Sequence, residues 1–148
     1  MPKEIPREIM EIFRKWCERS PPIYRGPYVK RWDGIVEVRF GSPLNSARFK
    51  EDSVEVLIRY IDDLSQVELV RGLINALRRH YSNFSIRIDC KSVELLGRKI
   101  GVSGMELEDR FDKTLKEMGF RNPPGLAGMY RMKDPISEYE YLICWELE

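Results

Sequence analysis

The run from Tyr24 to Trp32 has the residue types and spacing to do chemistry. Tyr24, Arg25, Tyr28, Lys30, Arg31 and Trp32 alternate rings with cations, and Pro21, Pro22 and Pro27 stiffen the backbone around them. Aromatic faces stack bases and basic side chains neutralise phosphate, the pairing used by single-stranded nucleic-acid sites. Arg71, Arg78 and Arg79, on the outer face of a later helix, would extend the basic path. A plainer reading has the rings pinning a proline-rich loop to the domain while the charges snorkel outward. The helix arginines then form a solvated face whose last turn favours cations. No RNP box accompanies the run.

A second group is Asp62-Asp63 with Asp89-Cys90-Lys91. Two carboxylates beside a lysine can hold Mg²⁺ and orient a water, as in metal nucleases. The pattern departs from the usual nuclease box, because a whole helix separates its halves and no proline precedes the first aspartate. Asp62-Asp63 also reads as acid placed ahead of a helix N-terminus. His80 is the single histidine, and its place near a helix end explains it without catalysis. A thiol–imidazole dyad would need Cys17, Cys90 or Cys144 beside it. Gly97, Gly101 and Gly104 lack the spacing of a dinucleotide fingerprint, and there is no Walker lysine. Gly125 to Gly128 precedes no helix. Glu106, Glu108, Asp109 and Asp112 complement a helix N-terminus, and spacing assembles no zinc or calcium ligand set. No catalytic residue, metal or cofactor is therefore assigned.

These residues must be positioned by secondary structure, and the clearest signal lies between Ser53 and Asp89. Val54, Val56, Ile58 and Tyr60 recur every second residue, the period of a half-buried strand. Ser65 and Glu68 form a capping box flanked by Leu64 and Leu69. Val67, Val70, Ile74, Leu77 and Tyr81 then make a helical stripe, with Asn83 as its stop. Phe84, Ile86 and Ile88 restore the period of two. If both strands share a sheet, the crossover is right-handed.

Upstream, residues 6–19 read as a helix with Ile9, Ile12, Phe13 and Trp16 on one face, ended by Ser20-Pro21-Pro22. Residues 20–32 read as an irregular loop and Gly34–Phe40 as a strand. Gly41-Ser42-Pro43 breaks that strand, and a polar, mobile link runs to Asp52. Downstream, Val93–Leu96 and Arg98–Val102 read as two short strands about Gly97. Ser103 and Glu106 repeat the capping box ahead of a helix burying Leu107, Phe111, Leu115 and Met118, with Gly119 as its left-handed stop. Gly128–Met132 reads as a strand. Tyr139, Tyr141, Ile143, Trp145 and Leu147 alternate through the last strand, and Leu142 and Cys144 predict cover on its other face as well.

Composition narrows the class. The chain has 148 residues, enough for one domain burying about two thirds of its unfolded surface. No apolar run nears the roughly 20 residues of a membrane span, and no signal peptide is visible. Three cysteines, far apart, argue against a disulfide framework or a zinc ribbon and for a reducing, cytoplasmic setting. Net charge is +1, yet residues 1–31 are basic and residues 138–148 acidic. Such asymmetry marks a nucleic-acid or partner surface, or two ends packed side by side.

The expectation is a single two-layer α+β domain over 1–148: a mainly antiparallel sheet with two or three helices, the first within 1–20. Units 54–96 and 98–147 share a strand–helix–strand–strand order, from a worn duplication or from the common habit of laying helices on one sheet face. The function expected first is a small intracellular, non-enzymatic module binding nucleic acid, DNA or RNA, through the 24–32 run. Alternatives are a protein-interaction or homo-oligomer subunit docking at the edge strand near 139–147 and a small-ligand pocket between sheet and helices. A metal-dependent nuclease stands behind these, and no membrane partner is expected. Charged residues make up 33% of the chain, while Thr, Gln and His each occur once, a hyperthermophile-like bias. It predicts a melting temperature above about 60 °C, to be read by calorimetry.

Overall fold

The computed structural model describes residues 4–22, 24, 26–124, 128–133 and 140–148. Among them the elements run α1 (Arg7–Glu18), β1 (Tyr28–Trp32), β2 (Ile35–Phe40), β3 (Ser42–Phe49), β4 (Val54–Ile58), α2 (Ser65–His80), β5 (Phe84–Asp89), α3 (Lys91–Ile100), α4 (Gly104–Glu117), β6 (Tyr130–Lys133) and β7 (Glu140–Leu147). The strands form one seven-stranded sheet in the order β1-β2-β3-β4-β5-β7-β6. Every neighbouring pair is antiparallel except β4 and β5, which are parallel across α2. That exception follows from chain economy, since a helix between two adjacent strands returns the second in the direction of the first. The sheet curls into a half-barrel, and the domain is α+β as expected.

Register divides the sheet into a dry face and a charged face. On the dry face Val38, Ala47, Val56, Ile86 and Leu147 are successive cross-strand partners, all buried. Val36, Phe49 and Val54 form a parallel row. The helices lie on this face, and their stripes complete the core: Ile9, Phe13 and Trp16 from α1, Val70, Leu73, Ile74 and Leu77 from α2, and Leu107, Phe111 and Leu115 from α4. Phe13 stacks on Phe40 at 4.6 Å, and Trp16 meets Phe40 edge-on at 5.4 Å. Gly41, between β2 and β3, is required here: its φ is +74°, and a Cβ would lie 2.6 Å from Trp16.

Two buried amides tie these layers together. The Asn45 side chain donates to the carbonyls of Phe40 (3.2 Å) and Tyr60 (2.9 Å) and accepts from the amides of Arg59 (2.8 Å) and Tyr60 (2.9 Å). Gln66 donates to the Trp16 carbonyl at 3.0 Å and the Ser20 hydroxyl at 3.1 Å, and accepts from the Asp62 amide at 2.8 Å. It thereby fixes α1 against the start of α2. At the far end the Trp145 indole donates to Asp112 at 3.0 Å. Burial raises the Asp112 carboxyl, but hydrogen bonds from Lys116, Trp145 and Asn122 outweigh it and hold the group below the usual carboxylate range.

Several local expectations are corrected. Residues 42–49, expected as a polar mobile link, are strand β3, because Asn45 supplies the bonds that the bulged β2–β3 pairing leaves unmade. Residues 93–96 and 98–102 are not two strands: one helix, α3, runs through both as far as Ile100, and its buried Val93, Leu96 and Gly97 follow the helical spacing of three and four. Gly97 marks a close approach: a Cβ there would sit 3.1 Å from the Val102 carbonyl oxygen, where the chain turns out of α3. With α3 a helix, the order strand, helix, strand, strand is not repeated along the chain. The Ser65–Glu68 box does not form. Asp63 caps α2 instead, its Oδ1 accepting from the Ser65 amide at 2.7 Å and hydroxyl at 2.6 Å, which lowers its own pKa. Ser103 does cap α4, accepting from the Glu106 amide at 3.4 Å. Finally, β7 lies between β5 and β6 rather than at an edge, so the expected docking edge near 139–147 is already paired. Tyr139 and residues 125–127, expected as part of a loop, lie outside the described residues.

The cysteines also depart from expectation. Cys90 and Cys144 form a disulfide, and Cys17 is a buried free thiol whose pKa burial raises. The argument from number and spacing against a disulfide is overturned, and the inference of a reducing compartment loses its footing. The pairing is invisible to spacing because β5 and β7 become neighbours only in the finished sheet. Since 54 residues separate the two cysteines, the chain-entropy account assigns the crosslink about 4 kcal/mol. Cys90→Ala with Cys144→Ala is expected to lower the urea midpoint by a corresponding amount and to abolish its sensitivity to reductant, as read by circular dichroism.

Candidate functional site

The face of the sheet turned away from the helices carries the candidate site. Following the register from β1, Tyr28 lies opposite Arg39, Arg39 opposite Ser46, Ser46 opposite Leu57, Leu57 opposite Arg87, and Arg87 opposite Glu146. One row along, Lys30, Glu37, Arg48, Glu55 and Ser85 are successive partners. Cross-strand neighbours stand about 5 Å apart at Cβ. Arg39, Arg48 and Arg87, from β2, β3 and β5, and Arg59, the residue after β4, therefore stand around a floor made of Ser46 and Leu57. Together with Leu44, Glu55, Met132, Lys133 and Tyr141 they line a cavity of about 240 Å³.

Buried carboxylates position these arginines. Glu37, 7% exposed at its side chain, accepts from Arg39 Nε at 2.6 Å and from Arg48 Nε at 2.8 Å. Arg39 is further held by the Pro43 carbonyl at 2.7 Å. Asp89, 3% exposed, accepts from Arg59 Nε at 3.4 Å. The Arg59 guanidinium lies 4.4 Å from the centroid of the Tyr141 ring, a cation–π contact. Arg87 reaches Ser85 Oγ at 3.3 Å and Glu148 at 3.5 Å. Arg48 and Arg59 are thus gripped by Nε, and among the described residues their terminal Nη groups have no hydrogen-bond partner. Two arginines share the one carboxylate of Glu37, so charge is left uncompensated there. Glu55, the one acidic residue lining the cavity among the described residues, is taken up by Lys50 at 2.8 Å.

A β-bulge puts Tyr141 in place. Between β5 and β7 the register shifts, with Ile88 opposite Trp145 but Asp89 opposite Ile143. Plain alternation would set Tyr141 on the side of Trp145. The extra residue turns it to the charged face, onto Arg59.

The residues expected to bind nucleic acid are divided by the fold. Tyr28, Lys30, Arg31 and Trp32 are not in an irregular loop but in β1, an edge strand of the sheet. Tyr28 and Lys30 share the charged face with their partners Arg39 and Glu37, and Trp32 follows at the same period of two. Tyr28 is 54% exposed, Trp32 half-buried. Lys30 lies over the Trp32 ring at 5.6 Å. Tyr24 is half-buried, packs edge-on against Tyr28 at 4.9 Å, and has its pKa raised by burial. Arg25 lies outside the described residues. Arg71, Arg78 and Arg79 sit on α2, across the sheet, so they and β1 do not make one continuous basic face. Arg71 faces Glu68 at 3.7 Å, while Arg79 and His80 both pair with Glu8 on α1, Arg79 at 2.8 Å. The reading of the charge asymmetry as two ends side by side fails for β1, since four strands separate it from β7.

The carboxylates of the nuclease reading do not converge. Asp62 faces Lys99 at 3.4 Å, whereas Asp89 holds Arg59 and accepts from the Lys91 amide at 2.9 Å. Among the described residues no group of three or more His, Cys, Asp or Glu could hold a metal ion, and no helix is long and apolar enough to cross a membrane. Core side chains fill most of the space between sheet and helices; a polar-lined cavity of about 280 Å³ remains between α4 and β7, beside Asp112 and Trp145, and the arginine-lined cavity lies on the other side of the sheet. Comparisons of the chain with protein-family models, with curated proteins and with solved structures find no match.

Sequence reasoning missed Arg39, Arg48, Arg59 and Arg87. The available signal was a charge at alternate positions of each amphipathic strand. If Glu37 is the structural anchor of two of them, Glu37→Gln is expected to lower stability by about 1–2 kcal/mol, seen as a reduced urea midpoint at unchanged slope.

Proposed function

We propose that the charged face of the sheet binds single-stranded nucleic acid. Support comes above all from one juxtaposition: the exposed Tyr28 is the cross-strand neighbour of Arg39, at the rim of the four-arginine cavity. A ring for a base thus adjoins cations for its phosphate. Trp32 and Lys30 extend the same shelf along β1. Stacking on an aromatic contributes about 1–3 kcal/mol per base, and phosphate contacts make binding fall with salt. An open sheet face suits unpaired bases better than a duplex, whose bases are already stacked on one another. The helix arginines are not needed in this reading, because α2 lies on the other side of the sheet, where Arg71 and Arg79 pair with Glu68 and Glu8.

Fluorescence anisotropy with a labelled single-stranded oligonucleotide at two salt concentrations tests it. Binding is expected at low salt, weaker by about tenfold or more in Tyr28→Ala with Trp32→Ala, and unchanged in Arg71→Gln. Absence of binding at low salt, or an affinity indifferent to the double substitution, would overturn the reading.

A further inference from the structure

We infer that a hollow bordered by Asp62, just ahead of α2, binds a small primary ammonium ion with an apolar body, and that the Asp62 carboxylate receives its N–H. Nothing in the nucleic-acid reading uses Asp62, and neither result decides the other.

Three segments meet at this hollow: the one that follows α1, the β2–β3 turn, and the link from β4 to α2. Pro21, Tyr24, Pro43 and Tyr60 line it with carbon, and Asp62 borders it. Its volume is about 170 Å³. That is room for a ligand of several heavy atoms, since a water molecule in the liquid occupies about 30 Å³.

The Asp62 side chain is 1% exposed. Lys99 reaches its Oδ1 at 3.4 Å, a long contact, while Oδ2 has no hydrogen-bond partner among the described residues. A carboxylate so deeply buried ordinarily has donors on both oxygens. The donors of its own turn are committed elsewhere. The Asp62 and Asp63 amides go to Gln66 Oε1 at 2.8 and 3.3 Å. Gln66 Nε2 goes to the Trp16 carbonyl and the Ser20 hydroxyl. The Ser65 amide and hydroxyl go to Asp63. A donor for Oδ2 must therefore come from a ligand, and the hollow that Asp62 borders is where it would stand.

The surroundings select the ligand's chemistry. A metal ion would need several oxygen ligands, and among the described residues no group of three or more His, Cys, Asp or Glu could hold one. A primary ammonium brings N–H donors and a charge, and its bond to a carboxylate is about twice as strong as a neutral one. Its alkyl part would pack on the tyrosine and proline carbons, since small-ligand sites combine an apolar lining with few polar contacts. A free alkylamine and the end of a partner's lysine side chain share this chemistry.

Butylammonium is the probe, titrated into the intact protein and followed by the amide resonances of Gly41, Ser42, Asp62 and Asp63. Saturable shifts are expected, with a dissociation constant of about a millimolar, the scale that a ligand of five heavy atoms sustains. Butanol, which lacks the charge, and tetramethylammonium, which lacks the N–H, should each bind at least about tenfold more weakly. Asp62→Asn should weaken butylammonium by a similar factor. Lys99→Met, which removes the competing cation, should instead tighten it by about threefold. Circular dichroism verifies that both variants are folded. Acetyl-lysinamide binding as tightly as butylammonium would assign the site to a partner's lysine, and its exclusion to a free amine; either result supports the inference. Absence of saturable shifts, or equal binding of butanol or tetramethylammonium, would overturn it. So would indifference to Asp62→Asn, or an equal loss in Asp62→Asn and Lys99→Met, which would mark the pair as a structural link.

Discussion

A pleated strand presents its side chains alternately to two sides, and here the helices cover only one of them. That constraint orders the rest of the molecule. Once Val38, Ala47, Val56, Ile86 and Leu147 are committed to the core, Arg39, Arg48, Arg59 and Arg87 must emerge opposite, and cross-strand register alone brings them around Ser46 and Leu57. A shift of one residue between β3 and β4 would exchange the two faces and bury guanidinium groups among the helices. Asn45 opposes such a slip, because three of its hydrogen bonds, to Arg59 and Tyr60, fit only one alignment of β3 against the end of β4. The order of the core and the placement of charge on the other face are thus one fact.

The charged face is held together by its acids rather than by apolar contact. Glu37 and Asp89 are nearly inaccessible, and a buried carboxylate is tolerable only with close donors. Each therefore takes up guanidinium Nε groups, and Asp89 accepts a helix-start amide as well. Along the β2–β3 row, signs alternate from Lys30 through Glu37 and Arg48 to Glu55, an arrangement that relieves repulsion between stacked cations. These pairs contribute modestly to stability where they are solvated. Their larger effect is orientation, since an arginine gripped at Nε has lost most of the freedom that a surface arginine keeps.

The parts of this architecture that could be read from sequence are those set by nearest neighbours. Val36, Val38 and Phe40, or Val67 through Leu77, declare their period within a dozen residues, and both elements stand where that period puts them. Where two periods compete, the local signal misleads. Val93, Leu96 and Gly97 fit a helix, but the glycine suggests a turn until the Val102 carbonyl is known to need the space. In β3, Pro43, Asn45 and Ser46 look like loop because a buried amide does the work that apolar alternation does elsewhere. At the N-terminus of α2, Asp63 and Ser65 both suit a cap, and only the chain path decides between them. The Cys90–Cys144 bond and the arginine cluster share another cause of illegibility. Each depends on which strands become neighbours, and that is settled by the whole sheet.

The aromatic run shows what such non-local assembly does to a local clue. Tyr28, Lys30 and Trp32 look like a mixed segment in sequence, yet at a period of two they are one face of a strand, with Val29 and Arg31 on the other. Strand geometry therefore separates two kinds of basic residue that composition treats alike. Lys30 lies beside Glu37 and over Trp32, joined to the arginine cavity, while Arg31 is carried to the side of Val36. The arginines of α2 are set apart more sharply still, behind the core, with Arg71 and Arg79 close to acids of their own layer. A count of cations along the chain would add all of these together. The sheet sorts them by face, and only those on the uncovered side can act on the same ligand.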